Sequence, residues 1–192
     1  DKIQYTGMFS LHNTENIKIK NLKLENNSLY DDTLHLVYCK EIDLINLKIL
    51  NARFDAIDID TSEKIRLINV NIFNAGNDGI DFMESQALVS DSIIKSAKDK
   101  GISVGENSNI LVFRSEFLEN NIANAAKDGS KINILLTKFI RNNIIFSSYA
   151  KNYQYNSGGY IDSYFSLFSD NKDLIEIDKS SEINIFNSNV DN

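Results

Sequence analysis

The sequence predicts an all-β chain, a single-stranded right-handed parallel β-helix of about eight coils, on three observations. A short apolar phrase recurs with a period in the twenties, both halves of each repeat alternate apolar and polar residues, and the chain has no proline. Such a repeat is one supersecondary unit that cannot bury its apolar face until neighbours stack on it. A leucine-rich repeat of similar period needs leucines at fixed offsets and a helical return. Here isoleucine leads with 27 residues and no 3.6-residue periodicity appears. β-Branched side chains suit parallel strands, and the absence of proline leaves backbone N–H groups for ladders along the stack.

Each unit opens with one strand phrase, clearest in Asp55-Ala-Ile-Asp58-Ile-Asp60 and Asp78-Gly-Ile-Asp81-Phe-Met83. A second phrase, apolar-x-apolar-x-Asn-apolar-x-apolar, follows as Ile17-Lys-Ile-Lys-Asn21-Leu-Lys-Leu24, and again from Ile42 and from Ile65. Degraded copies begin at Ala87, Ile110, Ile132, Ile161 and Ile183, so the steps are 22 to 25 residues with one of 29. The 26 asparagines mark the bends, because Asn tolerates left-handed geometry and bonds its own backbone.

The repeat covers nearly all of residues 1–192, which reads as one elongated domain without a linker, a fragment or processed product of a longer chain with flanking domains. A net charge of −7 argues against a nucleic-acid partner, which needs clustered Lys and Arg. No run of 18 apolar residues offers a membrane span, and no signal peptide is visible. Cys39 stands alone in a strand phrase and reads as a buried core thiol. His12 and His35 lie in different coils without a Ser-His-Asp arrangement at motif spacing.

Stacking the units places Asp32, Asp55, Asp78, Lys100 and Asn124 in one column, and His35, Asp58, Asp81, Ser103 and Lys127 in another. Neighbouring coils lie about 4.8 Å apart, so the carboxylates repel unless water or a cation offsets them. Asp55, Asp58, Asn77, Asp78 and Asp81 form an oxygen-rich set of the type Ca²⁺ takes. The same residues also fit solvated bends. Lys127, expected two coils from Asp81 at about 10 Å, and Lys100 are candidate salt-bridge partners of Asp81 and Asp78.

The segment Asn77-Asp-Gly-Ile-Asp81, preceded one coil earlier by Asp55-Ala-Ile-Asp58, resembles the calcium-binding region of the pectate lyase family and its D-D-G-x-D motif. The resemblance implies Ca²⁺ held by the acidic cluster against a uronate carboxylate, with Lys127 or Lys100 taking the C5 proton. Asn77 stands where that family has the first Asp. More broadly, Asp99-Lys-Gly-Ile-Ser-Val-Gly-Glu106 and Tyr149-Ala-Lys-Asn-Tyr-Gln-Tyr-Asn-Ser-Gly-Gly159 are similar to β-helix regions of bacterial secreted or surface proteins, including those joined to CotH-like kinase modules. That similarity implies a secreted or cell-surface location.

The step of 29 residues marks an insertion carrying Tyr149, Tyr153, Tyr155 and Tyr160, whose flat rings suit sugar faces or a widened core. Three readings follow. One is a polysaccharide- or oligosaccharide-interacting module; the second is a Ca²⁺-dependent lyase or epimerase of uronate-containing glycans; the third is a structural spacer or tailspike-like stalk.

Overall fold

The computed structural model describes residues 7–191, folded as three eight-stranded sheets that are parallel throughout. Each coil gives one strand to each sheet, and strand n pairs with strand n+3. We number the coils by their first-sheet strands: Phe9–His12, Leu34–Val37, Ile57–Asp60, Ile80–Met83, Lys100–Gly105, Ile122–Lys127, Ile144–Tyr149 and Asp173–Ile177. Among the described residues no helix is long and apolar enough to cross a membrane.

The apolar-x-apolar-x-Asn phrase is the second sheet, a corner and the third sheet in sequence. Strands Glu15–Lys20 and Lys23–Glu25 flank Asn21, and Lys40–Ile45 and Lys48–Ala52 flank Asn46. Asn21, Asn46 and Asn69 all sit at left-handed φ of 54° to 58°, as expected for a residue chosen to turn the chain. Their amides also stack: Asn46 Nδ2 donates to Asn21 Oδ1 and Asn69 Nδ2 to Asn46 Oδ1, both at 2.9 Å.

Buried side chains satisfy the corner amides. The N–H groups of Cys39, Ser62, Ser85 and Ser108 donate to the hydroxyls of Ser62, Ser85, Ser108 and Ser130 one coil on. The third corner does the same with Asn120, Asn142 and Asn171. Inside, the first sheet contributes Leu36, Ile59, Phe82 and Val104 at full burial. The third sheet stacks Phe117, Phe139 and Phe168 with ring centroids 5.3 and 5.4 Å apart. Cys39 is a buried free thiol.

The structure corrects the alignment at coil 6. Lys100 pairs with Ile122 and Ser103 with Ala125, so Asn124 and Lys127 each lie two residues beyond the columns expected for them. Asn124 instead points into the core, in register with Ile102 and Phe146, and its amide has neither a donor nor an acceptor partner. An unsatisfied buried amide costs about 1–3 kcal/mol. Asn124→Ile, which restores the residue found at 57, 80 and 102, is expected to stabilise the protein by about 1–2 kcal/mol in thermal or urea unfolding. A lower midpoint would mean that an internal water already satisfies the amide.

Candidate functional site

Ionisable groups are arranged differently on the three outer faces. On the second and third sheets they form coil-to-coil ion pairs, such as Arg66 on the buried Asp43 and the exposed pairs Lys64 on Glu41 and Arg141 on Glu119. On the first sheet acids accumulate and become buried.

Asp55 and Asp78 lie in the bends that lead into Ile57 and Ile80, which pair in register. Their carboxylates are directed along the stack. Asp55 Oδ1 accepts the Asp78 N–H at 2.7 Å and Asn77 Nδ2 at 2.8 Å, and Asp78 Oδ1 accepts the Lys100 N–H at 2.9 Å. Burial pushes the Asp78 carboxyl up to about 7, against the pull of the Lys100 ammonium at 3.6 Å. Burial likewise raises Asp55, despite these hydrogen bonds. Lys100 binds Asp99 more closely than Asp78, and these two acids hold its proton on above the ordinary lysine range although burial opposes them. Lys100 is thus held between two acids, Asp99 and Asp78.

The outward positions of the strands carry His35, Asp58, Asp81 and Ser103 in register over coils 2 to 5. Asp60, two residues after Asp58, shares that face because strand side chains alternate. Asp58 Oδ2 lies 3.4 Å and Asp60 Oδ2 3.2 Å from His35 Nε2, while Asp32 Oδ2 lies 3.9 Å from Nδ1. Burial, then the charges of Asp60, Asp32 and Asp81, push the Asp58 carboxyl up to about 9. The His12 ring meets that of His35 edge-on at 5.9 Å.

Lys127 reaches this face from coil 6. It is buried, its Nζ donates to Ser103 Oγ at 2.7 Å, and Asp81 lies 4.0 Å away. Gly105 lies beside that route, where a Cβ would come 3.3 Å from Lys127 Cε. A lysine at this position thus arrives at the expected carboxylate by running back along the stack.

The four tyrosines do not form one cluster. Tyr149 ends the first-sheet strand of coil 7 beside Lys127, and its phenol is raised by burial against the influence of Lys100 and Lys127. Tyr153 is 85% exposed on the short 3₁₀ turn Tyr153–Tyr155, which Asn152 caps. Burial and then the charges of Glu84 and Glu106 raise the Tyr155 phenol, which places the insertion near the corner of coils 4 and 5. Asp128 fastens the loop base by accepting the N–H groups of Lys151 and Asn152, each at 2.7 Å. Tyr160 belongs to the second sheet. A groove of about 440 Å³ crosses the first sheet beside Tyr149, lined by Asp99, Lys100, Ser147, Glu176 and Asp178. A more apolar groove of about 580 Å³ over the second sheet, between Arg66, Leu88 and Leu111, gathers no buried acids.

The five oxygen donors expected for calcium do not fit a shared ion. Asp55 and Asp78 each commit an oxygen to backbone N–H groups, and the Lys100 ammonium stands beside Asp78. Among the described residues the trio of ligand-type side chains with donor atoms all within 4.8 Å is Asp32, His35 and Asp58. Sequence reasoning placed His35 above Asp58 but did not join it to Asp32 and Asp60. The available signal was the parity of positions 58 and 60 within one strand.

No family model matches the sequence, and no curated protein matches it. Among solved structures, the chain is similar to the periplasmic alginate epimerase AlgG, with a TM-score of 0.58, 11% identity, and coverage of 91% of this chain and 50% of that one. A double mutant of the same epimerase aligns at a TM-score of 0.53 and 11% identity, covering 95% of this chain and 50% of the other. The chain is a right-handed parallel β-helix. It spans about half the length of these β-helix structures.

Proposed function

We propose that this β-helix is a polysaccharide-interacting module of a secreted or cell-surface protein, and that the outer face of its first sheet is the glycan groove. The observation that carries this reading is the groove beside Tyr149 and Lys100, continuous along one sheet with the chain's concentration of buried ionisable groups. Perturbed titratable groups gather at functional sites more than on ordinary surfaces. A rigid sheet with an aromatic ring, a cation and hydrogen-bonding side chains meets what an extended sugar chain requires. The alginate epimerase that shares the fold acts, by its name, on a uronate polymer.

Calorimetric titration with alginate, polygalacturonate and neutral oligosaccharides tests the proposal. Tyr149→Ala is expected to weaken binding of the preferred oligosaccharide about tenfold, equivalent to about 1.4 kcal/mol. Binding that survives Tyr149→Ala but is lost in Leu111→Ala would move the groove to the second sheet. No binding to any member of the panel leaves the spacer reading.

A second reading, an enzyme of the lyase or epimerase type acting on uronate glycans, is favoured by one further observation. The Asp58 carboxyl, pushed up to about 9, and the buried Lys127 ammonium beside Asp81 put proton donors on the same face. Lyase chemistry releases unsaturated uronides that absorb in the ultraviolet, and epimerisation alters the uronate ratio seen by NMR. Neither change occurs if the module only binds.

A further inference from the structure

We infer that the insertion of residues 150–159 carries a further sugar subsite, in which the Tyr153 ring stacks on a pyranose unit of the same glycan beyond the edge of the first sheet. This deepens the first-sheet reading and rests on it.

The course of the groove is the first argument. Its lining begins at Asp99 and Lys100, where the first-sheet strand of coil 5 starts, and ends at Tyr149 and Asp178, where the strands of coils 7 and 8 finish. It therefore crosses the sheet obliquely, over three coil spacings or about 14 Å. A glycan lying along it leaves the sheet at the corner that leads to the second sheet. Tyr38-Cys39 and Glu84-Ser85 are enough to turn that corner in coils 2 and 4, whereas coil 7 uses residues 150–159. The insertion thus stands at the exit of the groove. The two also share a residue, since Asp178 lines the groove and its Oδ2 accepts the Ala150 N–H at 2.7 Å.

The fastening of the insertion is the second argument. Asp128 is fully buried, and its Oδ1 accepts the N–H groups of both Lys151 and Asn152. A buried carboxylate is costly unless it is well hydrogen-bonded, and here its bonds go to the backbone of the loop. At the far end the Gly158 carbonyl accepts the Gly129 N–H at 2.8 Å, and the Gly158 N–H donates to the Ser180 carbonyl at 3.0 Å. Between these points Asn152 Oδ1 accepts the Gln154 N–H at 3.1 Å and caps the 3₁₀ turn. The Ala150 N–H, then the hydroxyls of Ser181 and Ser180, hold the Asp178 carboxyl down to about 2, so this root of the loop stays ionised at neutral pH. A segment fixed at both ends and at its turn loses little freedom when a ligand meets it.

The ring itself is the third argument. Tyr153 is 85% exposed, more than any other large apolar side chain among the described residues. Its turn is fastened, so a flat and largely apolar face is held in water, where covering it is favourable. A pyranose ring offers a C–H face of matching shape. Tyr149 in the groove and Tyr153 beyond it then act as successive platforms on one stretch of chain.

The test is calorimetric titration with oligogalacturonates, oligoalginates and cello-oligosaccharides, each as a size series from tetrasaccharide to octasaccharide. In the series that binds, the octasaccharide is expected to bind about tenfold more tightly than the tetrasaccharide. Tyr153→Ala should abolish that increment while leaving the tetrasaccharide affinity and the thermal midpoint unchanged. Tyr153→Phe should keep the increment, and Tyr149→Ala should weaken both lengths. The inference is overturned by a wild-type affinity independent of length, by octasaccharide affinity unchanged in Tyr153→Ala, by an equal loss at both lengths in that variant, or by a loss in Tyr153→Phe as large as in Tyr153→Ala. A tetrasaccharide that fails to bind, or binds regardless of Tyr149, overturns the first-sheet reading itself and the inference with it.

Discussion

Gly76→Ala is expected to destabilise the protein by about 3 kcal/mol, lowering the thermal midpoint by roughly 6–12 °C. A Cβ at this position would lie 1.9 Å from the Arg53 carbonyl oxygen and 2.7 Å from its carbon. Both obstacles are backbone of the preceding coil, which cannot rotate away as a side chain can. Coil 4 must therefore lift off coil 3 at the bend that delivers Asn77 and Asp78. The bond from Asn77 Nδ2 to Asp55 at 2.8 Å lies in the path of that displacement. Gly105→Ala is the matched control, since its Cβ would meet only the flexible Lys127 side chain at 3.3 Å. A change of within about 1 kcal/mol is expected there. Equal unfolding midpoints for the two variants would contradict the backbone explanation.

Asp78→Asn is expected to stabilise the protein at pH 8 by about 2 kcal/mol and to flatten its pH dependence between roughly pH 4 and 7. The Asp78 carboxyl is pushed up to about 7, chiefly by burial, so the native state holds a proton that the unfolded chain releases near 3.8. Native protein thus binds more protons across that interval, and its stability falls as pH rises through it. The contribution is present below the unfolded value and is lost above about 7. Asparagine keeps the oxygen that accepts the Lys100 N–H at 2.9 Å and cannot ionise. Lys100 retains Asp99, which limits the penalty of losing its second acid. Urea unfolding of both proteins at pH 5 and pH 8, with a chelator present, measures the effect. A variant equally destabilised at both pH values would show that the Lys100–Asp78 pair outweighs the burial of charge.

The coil architecture was legible because its cause is local and repeated. Asn21, Asn46 and Asn69 turn the chain at left-handed φ, and the isoleucines beside them alternate into the core. Alignment failed at Ile122–Lys127 for a physical reason. Its inward residues are Asn124 and Ala126, so that strand lacks the large apolar markers that set register elsewhere. The column of Asp55, Asp78 and Lys100 was readable from spacing alone. The direction of its carboxylates was not, because Asp55 and Asp78 could face solvent or the next coil's N–H until backbone geometry decided it. The pairing of His35 with Asp60 escaped for a related reason: it joins residues one coil and two positions apart, which a column of equivalent positions separates.

The serine and asparagine corners give the stack a polarity that its apolar core does not have. In each of these contacts the earlier coil donates its N–H and the later coil supplies the side-chain oxygen. The corner N–H of a coil is therefore completed by its successor, whose asparagine amides in turn donate back to the earlier coil, as Asn120 Nδ2 does to Ile94 O and Asn142 Nδ2 to Phe117 O. Addition of coils from the N-terminal side toward the C-terminal side resolves one set of corner amides and presents the next. The growing end always carries the unmet donors.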